Sequence, residues 1–241
     1  LVGHVTKDGQ LAGPRVLEHL VDAVLSFDGD DERALRLLRA SKNRFGNTAE
    51  LGVFEMTGAG LREIGNPSAA FLAERPTGAP GSCICASLEG ARPLLLEVQA
   101  LLAPAFGGAR RNCVGVDSAR LAMLLAVLDR HGDLAVLDQD VFINVAGGMR
   151  LFEPAADLAI ALAVASSHLR KPLADGVVAI GEIGLTGEVR QAPRVELRLA
   201  EAKRLGFTRA IVGGSNVAKI AAAGLEIAPV TTISAAIAAA L

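Results

Sequence analysis

Two cations flank a neutral amide at Lys42-Asn43-Arg44, immediately ahead of Phe45-Gly46. A guanidinium offers a planar bidentate fork and an ammonium a compact point charge, so the pair suits phosphate oxygens. Gly46 permits a sharp change of direction just beyond them. Lys7 and Arg15 stand in and just past a polar loop, VTKDGQLAG over residues 5–13, where they can pair with backbone phosphates without reading base sequence. The thiols Cys83, Cys85 and Cys113 are the remaining reactive side chains of note. Residues two apart on a strand lie roughly 6–7 Å apart at Cα, an awkward span for a Cys83–Cys85 disulfide. With no histidine nearby they make no zinc site. We expect all three to be small core hydrophobes of a protein kept in a reducing cytoplasm.

Elements that would position these groups are visible in the pattern. Leu1–His4 reads as a strand end, and Pro14 opens an amphipathic helix, PRVLEHLVDAVL. Residues 24–28 either end that helix or form a strand. The stretch 33–44 fits neither period, so strand and helix stay open there. ELGVFEMTGAGLREI is a hairpin turning at Thr57-Gly58-Ala59-Gly60. Residues 65–81 contain three Pro and three Gly and are expected to be a linker.

After that stretch, strands are expected at 82–88, 93–99 and 112–116, then a helix from Ser118, its cap, to His131. VFINVAG is a strand, Pro154 to Leu169 a helix, and 177–183 a strand followed by the short GEVR. A helix at 195–205, the strand AIVG and two small helices complete the chain. Alternating strand and helix predicts a layered α/β domain.

Composition narrows the function classes. The chain has 241 residues, 51% of them hydrophobic, with 24 Lys plus Arg against 26 Asp plus Glu, a net charge of −2. Disorder is excluded at that apolar content, and any anion site must be local rather than a whole-surface property. With no Trp, no Tyr and 8 Phe, base stacking on aromatic platforms is a poor mechanism here. No apolar stretch is long enough to span a bilayer, and LVGHVTKDG lacks the basic start of a signal peptide, so no membrane association is expected. The abrupt opening on a strand end suggests a fragment of something longer.

GHVTKDGQLAGPRVLEH, KNRFG, and ELGVFEMTGAGLREIGNPSAAFL, in that order, resemble the RadA (Sms) family of bacterial DNA repair ATPases. GEIGLTGEVR and AEAKRLGF resemble that family's Lon-protease-like domain. The resemblance covers essentially the whole chain. It implies the end of a RecA-like ATPase core over 1–64, a linker over 65–81, and a Lon-protease-like α/β domain (ribosomal protein S5 domain 2-like) over 82–241. It also implies an upstream four-cysteine zinc finger and upstream nucleotide motifs, since no G-x-x-x-x-G-K-[ST] occurs in this sequence. ATP and magnesium would belong to the full-length protein, as would the zinc; none is expected to bind this chain tightly.

By the same resemblance Lys42 and Arg44 act in trans on a neighbour's ATP, in the manner of an arginine finger. His4, at a strand end, senses the terminal phosphate, and the loop bearing Lys7, with Arg15 beyond it, contacts single-stranded DNA. In a Lon-type peptidase the serine nucleophile would stand at Ala155 and the general-base lysine at Glu196. A methyl group cannot attack a carbonyl, and an ordinary carboxylate is a poor substitute for a desolvated lysine. The domain is therefore expected to be an inactive, ring-forming scaffold with a DNA-contact surface. Arg110-Arg111, Arg150, Arg170-Lys171, Arg190 and Arg194 are its candidate channel cations.

The implied whole protein is a cytoplasmic, hexameric, DNA-dependent ATPase. Its expected activity is branch migration of recombination intermediates in DNA repair and damage response, with the RecA recombinase as partner. The competing expectations are an active Ser/Lys peptidase, in which Ser166, Ser167, Lys203 or Lys219 replaces the lost dyad, and a purely structural oligomerisation module. Asp157 with Glu196 is a further candidate, as a carboxylate pair.

Overall fold

The computed structural model describes residues 20–29, 35–48, 50–214 and 224–241. His4, Lys7, Arg15 and Lys219 lie outside them. The chain divides into two compact units, Leu1–Gly65 with Glu89–Arg92, and Asn66–Leu88 with Pro93–Leu241.

In the first unit, β1 (Ala23–Gly29), β2 (Leu35–Asn43), β3 (Leu51–Thr57) and β4 (Gly60–Glu63) form an antiparallel sheet in that order. Both ambiguous stretches are thus strands. Their tertiary pairing overrides a weak local pattern. The hairpin falls where its turn residues put it, with the Thr57 hydroxyl donating to the Gly60 carbonyl at 2.7 Å. Between Val24 and Leu25 the register slips, so that Val24 faces Lys42 and Leu25 faces Ala40. Ser41 is the bulged residue, and its hydroxyl donates to the Val24 carbonyl.

The second unit is built on a seven-stranded, mostly parallel sheet. Its strands are β5 (Ser82–Glu89), β6 (Arg92–Pro104), β7 (Arg111–Val114), β8 (Gln139–Val145), β9 (Val177–Ile180), β12 (Arg209–Gly213) and β13 (Glu226–Val230), in the order β13-β12-β9-β5-β6-β8-β7. A separate two-stranded ribbon pairs β10 (Glu182–Ile183) with β11 (Val189–Arg190). The expected strand at 177–183 is therefore broken at Gly181 into members of two sheets.

Side chains alternate across the main sheet. On one face Ile84, Ala86, Leu95, Val178, Ile180, Ala210 and Val212 pack against Val195, Leu199 and Ala202 of α4 (Val195–Arg204). On the other, α3 (Asp157–Leu169) packs on β9 and against α2 (Ser118–His131) and α5 (Ile233–Ala240). Asp157 to Ser166 of α3 are all buried, which explains why that helix is apolar all round. This is the α/β alternation anticipated from the sequence.

Three details depart from expectation. The cap of α2 is Asp117, whose carboxylate accepts the Arg120 N–H at 2.8 Å, and Ser118 is already helical. The Gly/Pro-rich stretch 65–81 contains a helix, α1 (Pro67–Leu72), in which Asn66 caps and Pro67, Ser68 and Phe71 are buried. Proline at a first helical position starts a helix rather than breaking one. The Ser68 hydroxyl accepts the Leu95 N–H and donates to Glu201, so the segment is part of the second unit. The third is β13, an edge strand that the sequence pattern concealed. Only one of the two expected terminal helices, α5, lies within the described residues.

Cys83 and Cys85 are free and buried, whereas Cys113 is half-buried, so the core expectation holds for two of the three. Burial pushes the Cys83 thiol up to about 12 and raises Cys85 well above its ordinary value. Cys113 is raised as well, by partial burial and then by Asp117. Only a thiolate attacks an alkylating reagent. Iodoacetamide at pH 8 will accordingly modify Cys113 first, and Cys83 and Cys85 only after denaturation, as mass spectrometry of native and unfolded samples will report.

Candidate functional site

The Lys42–Gly46 segment occupies the exit of β2. Pairing ends at Asn43, and the backbone N–H of Arg44 donates to the Asp22 carbonyl at 2.8 Å. The side chain of Asn43 then organises the turn. Its Oδ1 accepts the Phe45 N–H at 3.3 Å, and its Nδ2 reaches the Asn47 carbonyl at 3.5 Å. A Cβ on residue 46 would stand 2.7 Å from that Nδ2, so a larger residue there displaces the Asn43 amide from the turn. Arg44 is exposed and pairs loosely with Asp22 at 3.3 Å, a solvated contact that contributes little and exchanges readily. Phe45 is exposed and Lys42 half-buried. The structure thus runs the five residues from the last two positions of β2 into the bend that follows it. Asn43 and Gly46 shape it, while Lys42 and Arg44 carry its charge.

The positions where the resemblance would put a peptidase dyad differ in exposure. Ala155 lies in the core cluster among Val178, Ile180 and Val195, and Glu196 is exposed on α4. Nor do the alternative serines carry an activated hydroxyl. Ser166 Oγ donates to the Lys171 carbonyl and accepts the Gly81 N–H at 2.9 Å; Ser167 Oγ accepts the Leu102 N–H at 3.0 Å. Asp157 does not pair with Glu196 either. Its carboxylate accepts bonds from Nε and Nη2 of Arg120 and from the Ile183 N–H, and Arg120 also donates to the Ile183 carbonyl. This node ties α2, α3 and β10 together beside a cavity of about 350 Å³. Burial raises the Asp157 carboxyl above its ordinary value, against the opposing pull of Arg120 and the Ile183 N–H.

A second buried pair is also absent from the sequence expectations. Arg198 is fully buried and donates to both Glu153 oxygens, at 2.7 and 2.6 Å, and to the Ala86 carbonyl at 2.6 Å. Its signal was available: Val195, Arg198, Leu199 and Ala202 share one helical face, and a cation on an apolar stripe must find an anion.

Several candidate channel cations have structural partners. Arg110 is held by Asp140, Arg111 by the Leu137 and Gln139 carbonyls, and Arg190 by Glu188. Arg170 and Arg194 take left-handed conformations at helix ends. Among the described residues no cluster of three His, Cys, Asp or Glu is arranged to hold a metal, and no helix is long and apolar enough to cross a membrane.

Residues 120–216 match the family model described as subunit ChlI of Mg-chelatase. Over 234 residues the chain is 54% identical to the DNA repair protein RadA of Pseudomonas aeruginosa, covering 97% of this chain and 52% of that protein. It is 49% identical to the DNA repair protein RadA of Streptococcus pyogenes serotype M3 over 235 residues, with the same coverage. Its counterpart in Halalkalibacterium halodurans is 51% identical over 218 residues, 90% of this chain and 48% of that protein. The chain spans about half the length of these relatives.

Removing Arg120 leaves Asp157 buried without its cation. Loss of one partner from a buried pair costs about 3 kcal/mol or more. Because the Asp157 carboxyl is already raised and rises further without Arg120, the folded state of Arg120→Ala takes up a proton more readily than the unfolded chain. Its stability is therefore greater below the folded value and declines as pH rises through it. Urea unfolding of Arg120→Ala and the parent at pH 5 and pH 8 will show a smaller deficit at pH 5.

Proposed function

Because the chain belongs to the RadA family of DNA repair proteins, we propose that it is the ring-building and trans-acting half of a DNA-dependent ATPase. In this reading Lys42 and Arg44 complete an ATP site in a neighbouring copy. There they neutralise charge that develops on the phosphoryl oxygens as the terminal phosphate is transferred to water. The observation that carries the reading is the end of β2, where half-buried Lys42 closes the strand and exposed Arg44 opens the bend shaped by Asn43. A guanidinium that pairs with Asp22 only through a loose surface contact gives it up to a phosphate at small cost. Magnesium and ATP belong to the complete assembly, and the phosphate-cradling loop comes from sequence not present in this chain.

The second unit is then a Lon-like domain that has kept a fold and lost a chemistry. A buried methyl at Ala155, an exposed carboxylate at Glu196 and serines engaged in backbone hydrogen bonds support that view over an active peptidase. The whole protein, on this reading, binds single-stranded DNA and promotes branch migration, with phosphate contacts supplying the affinity.

In the full-length protein, Lys42→Ala will lower DNA-stimulated ATP hydrolysis by more than about tenfold, against the roughly 10³–10⁵-fold that an arginine finger supplies. Assembly measured by sedimentation will be preserved. Unchanged turnover overturns the trans role. Affinity for single-stranded DNA will fall steadily as salt rises from 50 to 200 mM, since counterions released from phosphates drive the binding. A salt-independent affinity would contradict phosphate-based recognition.

A further inference from the structure

Phe106 is 97% exposed, the most exposed large apolar side chain among the described residues. It sits in the loop joining β6 to β7, ahead of Gly107 at φ 106°, a conformation that side chains other than hydrogen rarely adopt. The base of that loop is fixed. Asp140 accepts the Arg110 N–H at 2.8 Å and its Nε at 3.0 Å, and Arg111 donates to the Gln139 and Leu137 carbonyls at 2.7 and 2.6 Å. An aromatic ring left wholly in water beside a fixed loop base gains from whatever covers it.

The cavity beside the Arg120–Asp157 node has the matching character. Its volume of about 350 Å³ is at the small end for binding pockets, about 300–1,000 Å³, which suits one side chain rather than a folded element. Val116, Met123, Leu151 and Phe152 form its apolar wall, and Arg120 lines it together with the carboxylates of Asp117, Glu153 and Asp157. A phenyl ring gains there from the apolar wall and can turn its positive edge to the carboxylates and its face to the guanidinium, which favours an aromatic over an aliphatic occupant.

Ring and cavity lie at opposite ends of the same strands. Pro104 pairs with Gln139 and Arg111 with Val141, so the Phe106 loop is at the start of β8. The cavity lies past its end, where Val116 bridges Leu151. Seven residues of β8 at about 3.3 Å each separate them by about 20 Å. A loop pinned at Arg110 and Arg111 cannot bridge that gap. A ring at one end and its pocket at the other define a head-to-tail contact, which propagates around a ring when the rotation closes.

We propose that Phe106 of one copy seats in the Val116–Met123–Leu151–Phe152 cavity of the next copy of this chain, as the side-chain lock of the assembly. The proposal rests on the ring-forming reading above and names its contact. It also gives Arg110 and Arg111 a role: they position the loop.

The test is sedimentation velocity of the full chain and of Phe106→Asp and Met123→Lys, with far-UV circular dichroism to confirm the fold. Met123 is partly exposed on α2, so its replacement leaves the core intact. Each variant should dissociate at concentrations at least tenfold higher than the parent. In a Cys113→Ser background, Phe106→Cys and Met123→Cys chains should form a disulfide when mixed and none when separate. If the parent assembles and both charged variants assemble equally well, the contact is wrong and the ring reading stands. A disulfide in Phe106→Cys alone indicates a symmetric contact and overturns the head-to-tail arrangement. A parent that stays monomeric at 100 µM removes the ring reading and this contact with it.

Discussion

The second unit is organised around a guanidinium that has no access to water. Arg198 projects from α4 into the layer between helix and sheet, where an unpaired cation would be prohibitive. It is tolerated because Glu153 meets it bidentately and the Ala86 carbonyl takes a further proton. Glu153 in turn accepts the Leu88 N–H. One charge pair thus fixes α4, the end of β5 and the segment leading into α3. Apolar packing supplies most of the cohesion, but it is non-directional. The pair specifies which register of α4 against the sheet satisfies every buried polar group.

The same segment shows how backbone bonds fix a turn independently of its side chains. Residues 154–157 enter α3 through a tight turn, and the backbone there is tied to the end of β9 by the bonds Leu158 N–H to Gly181 and Gly181 N–H to Ala155. These bonds do not depend on what side chain stands at 155. A small apolar residue there joins the core, and the adjoining acid, Asp157, is recruited by Arg120. Both residues thus have structural work here.

Much of this organisation was legible in the residues, for identifiable reasons. Long amphipathic or wholly apolar helices such as 118–131 and 157–169 announce themselves by period and length, and the hairpin at 57–60 by its turn residues. The five residues at the end of β2 were legible as a unit, and their internal logic becomes visible only with Asn43 folded over Gly46. What escaped was non-local. The partners of Asp157 and Arg198 are 37 and 45 residues away, and no spacing rule connects them. Segment 65–81 misled because Pro and Gly were taken together as breakers, although Asn66-Pro67 is a helix start. Strand β13 was hidden because Pro229 argues against a strand.

That proline has a consequence of its own. The Glu226 N–H bonds to the Thr208 carbonyl, so alternate residues of β13 turn toward β12, and Pro229 falls among those turned away. At that outward position the nitrogen carries no hydrogen, and an incoming strand would find a donor missing from the ladder. This margin of the sheet is thereby blunted against amyloid-like stacking and runaway fibre growth. In a crowded cell, a domain that carries so apolar an interior keeps at least this border closed to strangers.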